Sequence, residues 1–316
     1  MIPLLQKNSS LTIDELQDGF ILLIDKEKDW SSFDVVKKVR NTVRIKKVGH
    51  AGTLDPLATG LLLVAVGNCT RLIEYMVATD KGYHATFKLG LVTDSQDITG
   101  TVQSEHDCTE IVRRDIERVC REFVGDIDQV PPMFSALKKD GVPLYRLARK
   151  GIEVERQKRR ITITRLDIEE FCGDTVTIDV DCSKGTYIRT LCHDIGQSLG
   201  CGACMTSLRR TRSGTFNEKM AISLDSVISG DFDLLPPGVA VATLPELVVN
   251  EQGWQRLRNG IPPQFDDICG GVSLDDMTMV RLMYADKVLA IACCDGEHQL
   301  DQRGDFKLHK VFPDGI

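Results

Sequence analysis

Gly49-His50-Ala51-Gly52-Thr53-Leu54-Asp55-Pro56-Leu57-Ala58-Thr59-Gly60 runs directly into Leu61-Leu62-Leu63-Val64-Ala65-Val66. The second stretch is a short, uninterrupted apolar run, which by length and composition reads as a buried strand. The first has no periodicity: a twelve-residue loop with three glycines and one proline. Its glycines permit a tight, left-handed path and close approach by another backbone. Pro56 confines Asp55 to an extended conformation. One carboxylate is thus held on a stiff turn ahead of a strand that anchors it. By spacing alone, the simpler reading is an aspartate capping the next turn, with proline at its first position.

Upstream, Phe20–Ile24 reads as a strand entering Asp25-Lys26. Ser31-Ser32 supplies a helix N-cap, with Asp34 in the first turn. Phe33, Val36, Val39 and Val43 recur at helical spacing, leaving Lys37, Lys38 and Arg40 on the other face. Downstream, Thr70–Ala78 reads as helix and Tyr83–Leu89 as strand. Thr109–Phe123 reads as a second amphipathic helix, its face formed by Ile111, Val112, Ile116, Val119, Cys120 and Phe123, with Gly125 as a stop. Ile161–Phe171 and Thr175–Cys182 follow as strands; Val176, Ile178, Val180 and Cys182 alternate with polar residues, so one face is buried. A further helix is expected from near Ile188 to Gly200. Pro236-Pro237-Gly238 marks a linker, beyond which Val280–Tyr284 and Val288–Cys293 read as strands around a turn. The class is α+β with a β-rich appendage.

The 316 residues fit two domains. Eleven scattered cysteines look like reduced core thiols, and no stretch has the length of a membrane span or the form of a secretory signal, so a cytosolic protein is expected. Cys201-Gly-Ala-Cys204 has metal-like spacing but lacks a second pair, and neither a phosphate-binding nor a dinucleotide-binding glycine motif is present. The net charge of -7 is unevenly spread. Residues 223–316 hold 15 acids and 7 bases, whereas Ala136–Arg165 holds ten bases and three acids and Lys37–Lys47 six bases and no acid. Charge alone leaves these clusters equally readable as solvated helix faces or as polyanion contacts.

The loop resembles the catalytic motif of the TruB family of tRNA pseudouridine synthases, and the resemblance extends well beyond it. Asp25-Lys26 with Ser31-Ser32-Phe33-Asp34 is similar to the family's first motif. Asp80-Lys81-Gly82-Tyr83 is similar to the motif bearing its active-site tyrosine. Pro131-Pro132-Met133-Phe134-Ser135-Ala136-Leu137-Lys138, with Tyr145 and Ala148-Arg149-Lys150-Gly151, resembles its central segment. Lys184-Gly185-Thr186-Tyr187-Ile188-Arg189-Thr190-Leu191 and Leu208-Arg209-Arg210 complete an ordered set across residues 19–215. More loosely, the tail from about Leu244 is similar to the small RNA-binding module that follows bacterial synthases of this type.

The resemblance implies a pseudouridine synthase fold: a mixed, mainly antiparallel central sheet flanked by helices and loops, with a small PUA-like β module. The expected divisions are a leader at 1–17, a catalytic domain at 18–235 and the module at 236–316. It also implies roles. Asp55 is the catalytic carboxylate, Arg189 its partner, Tyr83 the ring stacked on the target uracil and Tyr187 a second base contact. Leu208 forms an apolar wall, His50 fills the RNA fold vacated by the flipped nucleotide, and Lys26 buttresses the loop. Lys138, Arg156, Lys158 and Arg159 become contacts to the RNA backbone, with Lys37–Lys47 a second, weaker candidate. The implied substrate is the uridine at position 55 of the tRNA T loop. The enzyme is expected to work as a monomer without metal, cofactor, guide RNA or obligatory protein partner. Such an isomerisation involves neither redox change nor hydrolysis. The carboxylate could add covalently to sugar or base, or remove a proton during elimination, and the residues alone leave both routes open. Two rival readings are a tRNA-folding chaperone and a guide-dependent synthase of a ribonucleoprotein.

Overall fold

The computed structural model describes residues 19–232, 234–270, 278–294 and 304–316; the expected leader at 1–17 lies outside them. Among the described residues the central sheet has nine strands, including β1 (Phe20–Lys26), β2 (Val48–Ala51), β3 (Thr59–Val66), β4 (Lys81–Leu89), β5 (Gly125–Gln129), β6 (Arg159–Cys172), β7 (Thr175–Cys182) and β8 (Ala203–Ser213). They lie in the order β1-β3-β8-β4-β7-β6-β5, with β2 beside β3. All these pairings are antiparallel except β3 with β8, which run parallel, so the sheet is mixed as expected.

The apolar run quoted above organises the core. Leu62, Val64 and Val66 enter a large cluster with Phe20, Leu22 and Ile24 of β1 and with Ala85 and Phe87 of β4. The alternate residues Leu61, Leu63 and Ala65 enter a second cluster on the opposite face, with Ile21 and Leu23. Alternating side chains therefore meet apolar partners on both sides, which is why the strand reads as a solid hydrophobic block. On β7 only Val176, Ile178, Val180 and Cys182 are buried, matching the alternation in its sequence.

Among the helices that pack on the first cluster are α1 (Ser32–Val43), α2 (Arg113–Glu122) and α3 (Ile188–Leu199). A reciprocal box caps α1: Ser31 Oγ accepts from the Asp34 N–H and the Asp34 carboxylate accepts from the Ser31 N–H, an arrangement contributing about 1 kcal/mol. The inward stripe of α1 is Ser32, Val35, Val36 and Val39; Phe33, expected on it, is 63% exposed. The cause is Ser32, whose hydroxyl hydrogen-bonds both main-chain groups of Leu54 and claims the inward position. The second helix begins four residues later than its periodicity suggests. The Asp115 carboxylate accepts from the Val112 N–H, fixing Val112 as the exposed cap.

A second sheet combines β9 (Glu246–Val249), β10 (Ile268–Cys269), β11 (Met279–Tyr284), β12 (Lys287–Cys294) and β13 (Phe306–Val311), in the order β10-β9-β11-β12-β13. Met283, Val288, Ile291 and Phe312 from this region complete the second cluster behind β1 and β3. The Pro236–Gly238 stretch, expected as a linker, opens a buried 3-10 turn at Pro237–Val241, and Leu235 exchanges main-chain hydrogen bonds with Ile21 of β1. Cys192, Cys201 and Cys204 are buried, and burial pushes the Cys204 thiol up to about 11. No described helix is long and apolar enough to cross a membrane.

Candidate active site

The loop between β2 and β3 is shorter than its sequence suggests, because Val48–Ala51 pairs with Leu63–Val66 and places His50 on a strand. What remains is braced from three sides. Ser32 holds Leu54, as above. Lys26, 1% exposed, donates from Nζ to the carbonyls of Trp30 (2.6 Å), Glu27 (2.8 Å) and Pro56 (3.4 Å). Arg210, equally buried, donates from Nε to Leu61 O (2.7 Å) and from a terminal nitrogen to Gly52 O (3.1 Å). The Ala58 N–H closes a turn onto Asp55 O, with Pro56 at its second position.

The Asp55 carboxylate is not a cap. Its Oδ2 meets a terminal nitrogen of Arg189 at 3.0 Å while 40% of the side chain stays open to solvent. Arg189, the second residue of α3, is itself 5% exposed. It also donates to Ser95 O (3.0 Å) and Phe134 O (2.8 Å), and a second carboxylate, Asp97, lies 3.4 Å away. Asp97 is fixed by Ser95 Oγ (2.9 Å), the Thr99 N–H (3.0 Å) and Thr99 Oγ1 (2.5 Å), all on Oδ1. One guanidinium thus ties together the loop, the 95–99 turn and the 131–138 segment.

Two tyrosines face this pair. Tyr83 stands opposite Arg210 in the β4–β8 register, and the Arg210 charge acts on its hydroxyl. Tyr187 caps α3, its main-chain N–H and C=O both held by Gln129 at 2.8 and 3.1 Å. Burial pushes both phenols up, and the Asp55 charge adds to the effect at each. Both are therefore neutral rings with one donor hydroxyl at physiological pH. Leu208, 8% exposed, lies two residues before Arg210 on β8. His50 is half-buried with Nδ1 lacking a hydrogen bond; burial and the nearby Arg210 charge push its pKa down.

Lys138, Lys158 and Arg159 are exposed, with Arg159 opposite Gln129 and close enough to Tyr187 to perturb it. Arg156 differs: it is largely covered and paired with Glu153 at 2.9 Å. Asp97 and Arg210 are site residues to which sequence reasoning gave no role. Arg210 had a signal, since strand alternation puts it on the same face as Leu208. Asp97 had none, its partner being 92 positions away. Among the described residues no group of three or more histidine, cysteine or acidic side chains is placed to hold a metal ion.

A braced loop presenting one half-open carboxylate, paired to a buried arginine and flanked by two neutral rings, suits a single planar base. The profile of the TruB family pseudouridylate synthase N-terminal domain matches residues 40–188, and that of the tRNA pseudouridylate synthase B C-terminal domain matches 189–230. The tRNA pseudouridine synthase B of Syntrophotalea carbinolica is 45% identical over 300 residues, covering 93% of this chain and 98% of that protein. The Geobacter sulfurreducens protein of the same name is 46% identical over 283 residues, covering 87% and 93%. Among solved structures, an archaeal box H/ACA Nop10–Cbf5 complex superposes with a TM-score of 0.71 at 24% identity, over 96% of this chain and 88% of that one. That likeness bears on the fold, which is the pseudouridine synthase fold with a small C-terminal β sheet. The chain belongs to the TruB family, and it is a tRNA pseudouridine synthase.

Proposed function

We propose that this enzyme converts the uridine at position 55 of the tRNA T loop into pseudouridine, alone and without a guide, with Asp55 as the catalytic carboxylate. The observation that carries this reading is the 3.0 Å pairing of a solvent-reachable Asp55 with a buried Arg189, beside Tyr83 and Tyr187. The C1′–N1 bond of uridine breaks, the freed uracil turns within the pocket, and C5 bonds to C1′. The C5 proton leaves to restore the ring. Asp55 can serve as nucleophile or as base in this sequence. Arg189 keeps it aimed, Tyr83 offers a face for the uracil, and Leu208 limits the space for rotation. Extrusion of the nucleotide costs a few kcal/mol, which stacking on an aromatic ring offsets by about 1–3 kcal/mol. His50 is placed to occupy the gap left in the RNA. Lys138, Lys158 and Arg159 follow the phosphate chain, and Arg156 shapes that surface through Glu153.

The tRNA substrate is supported by relatives at 45–46% identity that are named tRNA pseudouridine synthase B. Purified protein incubated with a naked T-stem-loop RNA should form pseudouridine. Asp55→Asn should form none while keeping tRNA affinity within about tenfold. A fully active Asp55→Asn enzyme would overturn the mechanism, and a wild type that acts only with added RNA or protein would overturn the stand-alone reading.

A further inference from the structure

The outer face of α1 carries chemistry that the pocket does not use. From Val35 to Leu54 the sequence contains no acid, and six bases fall within Lys37–Lys47. Phe33, Lys37, Asn41 and Arg44 are spaced i, i+4, i+8 and i+11, so they form one strip along the helix and its cap. Phe33 is 63% exposed. Lys37, Lys38, Arg44, Lys46 and Lys47 are exposed and have no carboxylate within 4.0 Å among the described residues. Arg40 is different, donating to Val48 O at 3.3 Å as an internal brace. An open cleft of about 420 Å³ lies alongside, lined by Asp29, Trp30, Asp34, Lys37, Lys38 and Asn41. Of its two acids, Asp34 is engaged by Ser31 in the cap.

An exposed ring at the head of a row of unpaired cations is the pattern that binds nucleic-acid strands, through base stacking and phosphate neutralisation. Its location is specific. The strip is about 17 Å long, and its aromatic end adjoins Ser32, which grips the residue before Asp55. It flanks the β1 side of the sheet, whereas Lys158 and Arg159 lie at the β6–β5 side. The two basic surfaces therefore approach the pocket from opposite edges.

We infer that the α1 strip is a second RNA-contact site, gripping a segment of tRNA outside the T stem-loop, with Phe33 against a base and Lys37, Arg44 and Lys46 on phosphates. This rests on the reading of tRNA as substrate. The test compares full-length tRNA with an isolated T-stem-loop hairpin, using Phe33→Ala and the triple variant Lys37→Gln/Arg44→Gln/Lys46→Gln. For full-length tRNA each variant should weaken binding at least fivefold, and the triple variant should reduce the slope of log affinity against log salt by about 2. For the hairpin, affinity and turnover should stay within twofold of wild type, which also shows that the variants fold. Equal losses on both RNAs would assign the strip to the T-arm site, and no loss on either would leave it a solvated face; both overturn the inference. Failure of the wild type to modify either RNA would instead overturn the functional reading on which it depends.

Discussion

Arg189 stands between two carboxylates of unlike exposure: Asp55 at 3.0 Å, 40% open to solvent, and Asp97 at 3.4 Å, 6% open. The open one can reach a substrate; the closed one cannot, and acts only through the guanidinium. Asp97 is thus a positioning residue. Asp97→Asn removes its charge while keeping its shape, so Arg189 loses the anchor opposite Asp55. Turnover should fall by about 100-fold, the scale of an ångström-level misplacement, while KM for tRNA changes little. Single-turnover kinetics with saturating enzyme would separate the two; an equal rise in KM would mean that Asp97 serves binding.

Tyr83 contributes a ring and a hydroxyl, and its variants divide them. Tyr83→Phe keeps the face but gives up the hydroxyl beside Arg210, whereas Tyr83→Leu gives up both. Loss of about 1–3 kcal/mol of stacking should lower kcat/KM of Tyr83→Leu at least fivefold below that of Tyr83→Phe. Steady-state assays on the T-stem-loop RNA test the order.

Burial lowers the Lys26 amine from its ordinary 10.5 to about 8, although the Asp55 charge opposes the shift. Between these values the unfolded chain holds a proton that the folded chain has released. Wild-type stability relative to Lys26→Met should therefore rise with pH from about 8 to 10.5, by at most about 1.4 kcal/mol per pH unit. Denaturant titrations at pH 7, 8.5 and 10 would reveal a flat or inverted trend if the amine stays charged in the fold.

Gly60 pairs with Arg210 where β3 and β8 run parallel, at φ +92°, and a Cβ there would lie 2.5 Å from Arg210 O and 2.9 Å from Arg210 N. Those atoms are main chain and cannot turn aside. Gly60→Ala should cost about 3 kcal/mol or more, read as a lowered Tm. An unchanged Tm would show that the parallel pairing adjusts freely.

Much of this architecture is legible in one dimension. The apolar block at 61–66, the alternation at 175–182 and the serine cap of α1 each depend on neighbours a few positions away. Asp55, Arg189, Tyr83 and Tyr187 came from ordered motifs, and the fold brings them together. Phe33 falls on the inward stripe by spacing but lies outside it, because the Ser32 hydroxyl takes the inward position, a choice set by Leu54 across a loop. Pro236–Gly238 looks like a breaker in sequence, yet Pro237 is buried and Leu235 just before it pairs with Ile21 at the free edge of β1. Asp97 stayed hidden because an ion pair between distant segments leaves no periodic trace.

The double-sided burial of β3 has a consequence for how the molecule comes apart. Part of the second cluster would lose its packing if the chain stopped near Leu235, since Val239, Val241, Met283, Val288, Ile291 and Phe312 all belong to it. Shortened protein should self-associate, and the intact chain should melt in one step. The acidic tail then serves to close the apolar back of the sheet, whatever it does for the RNA.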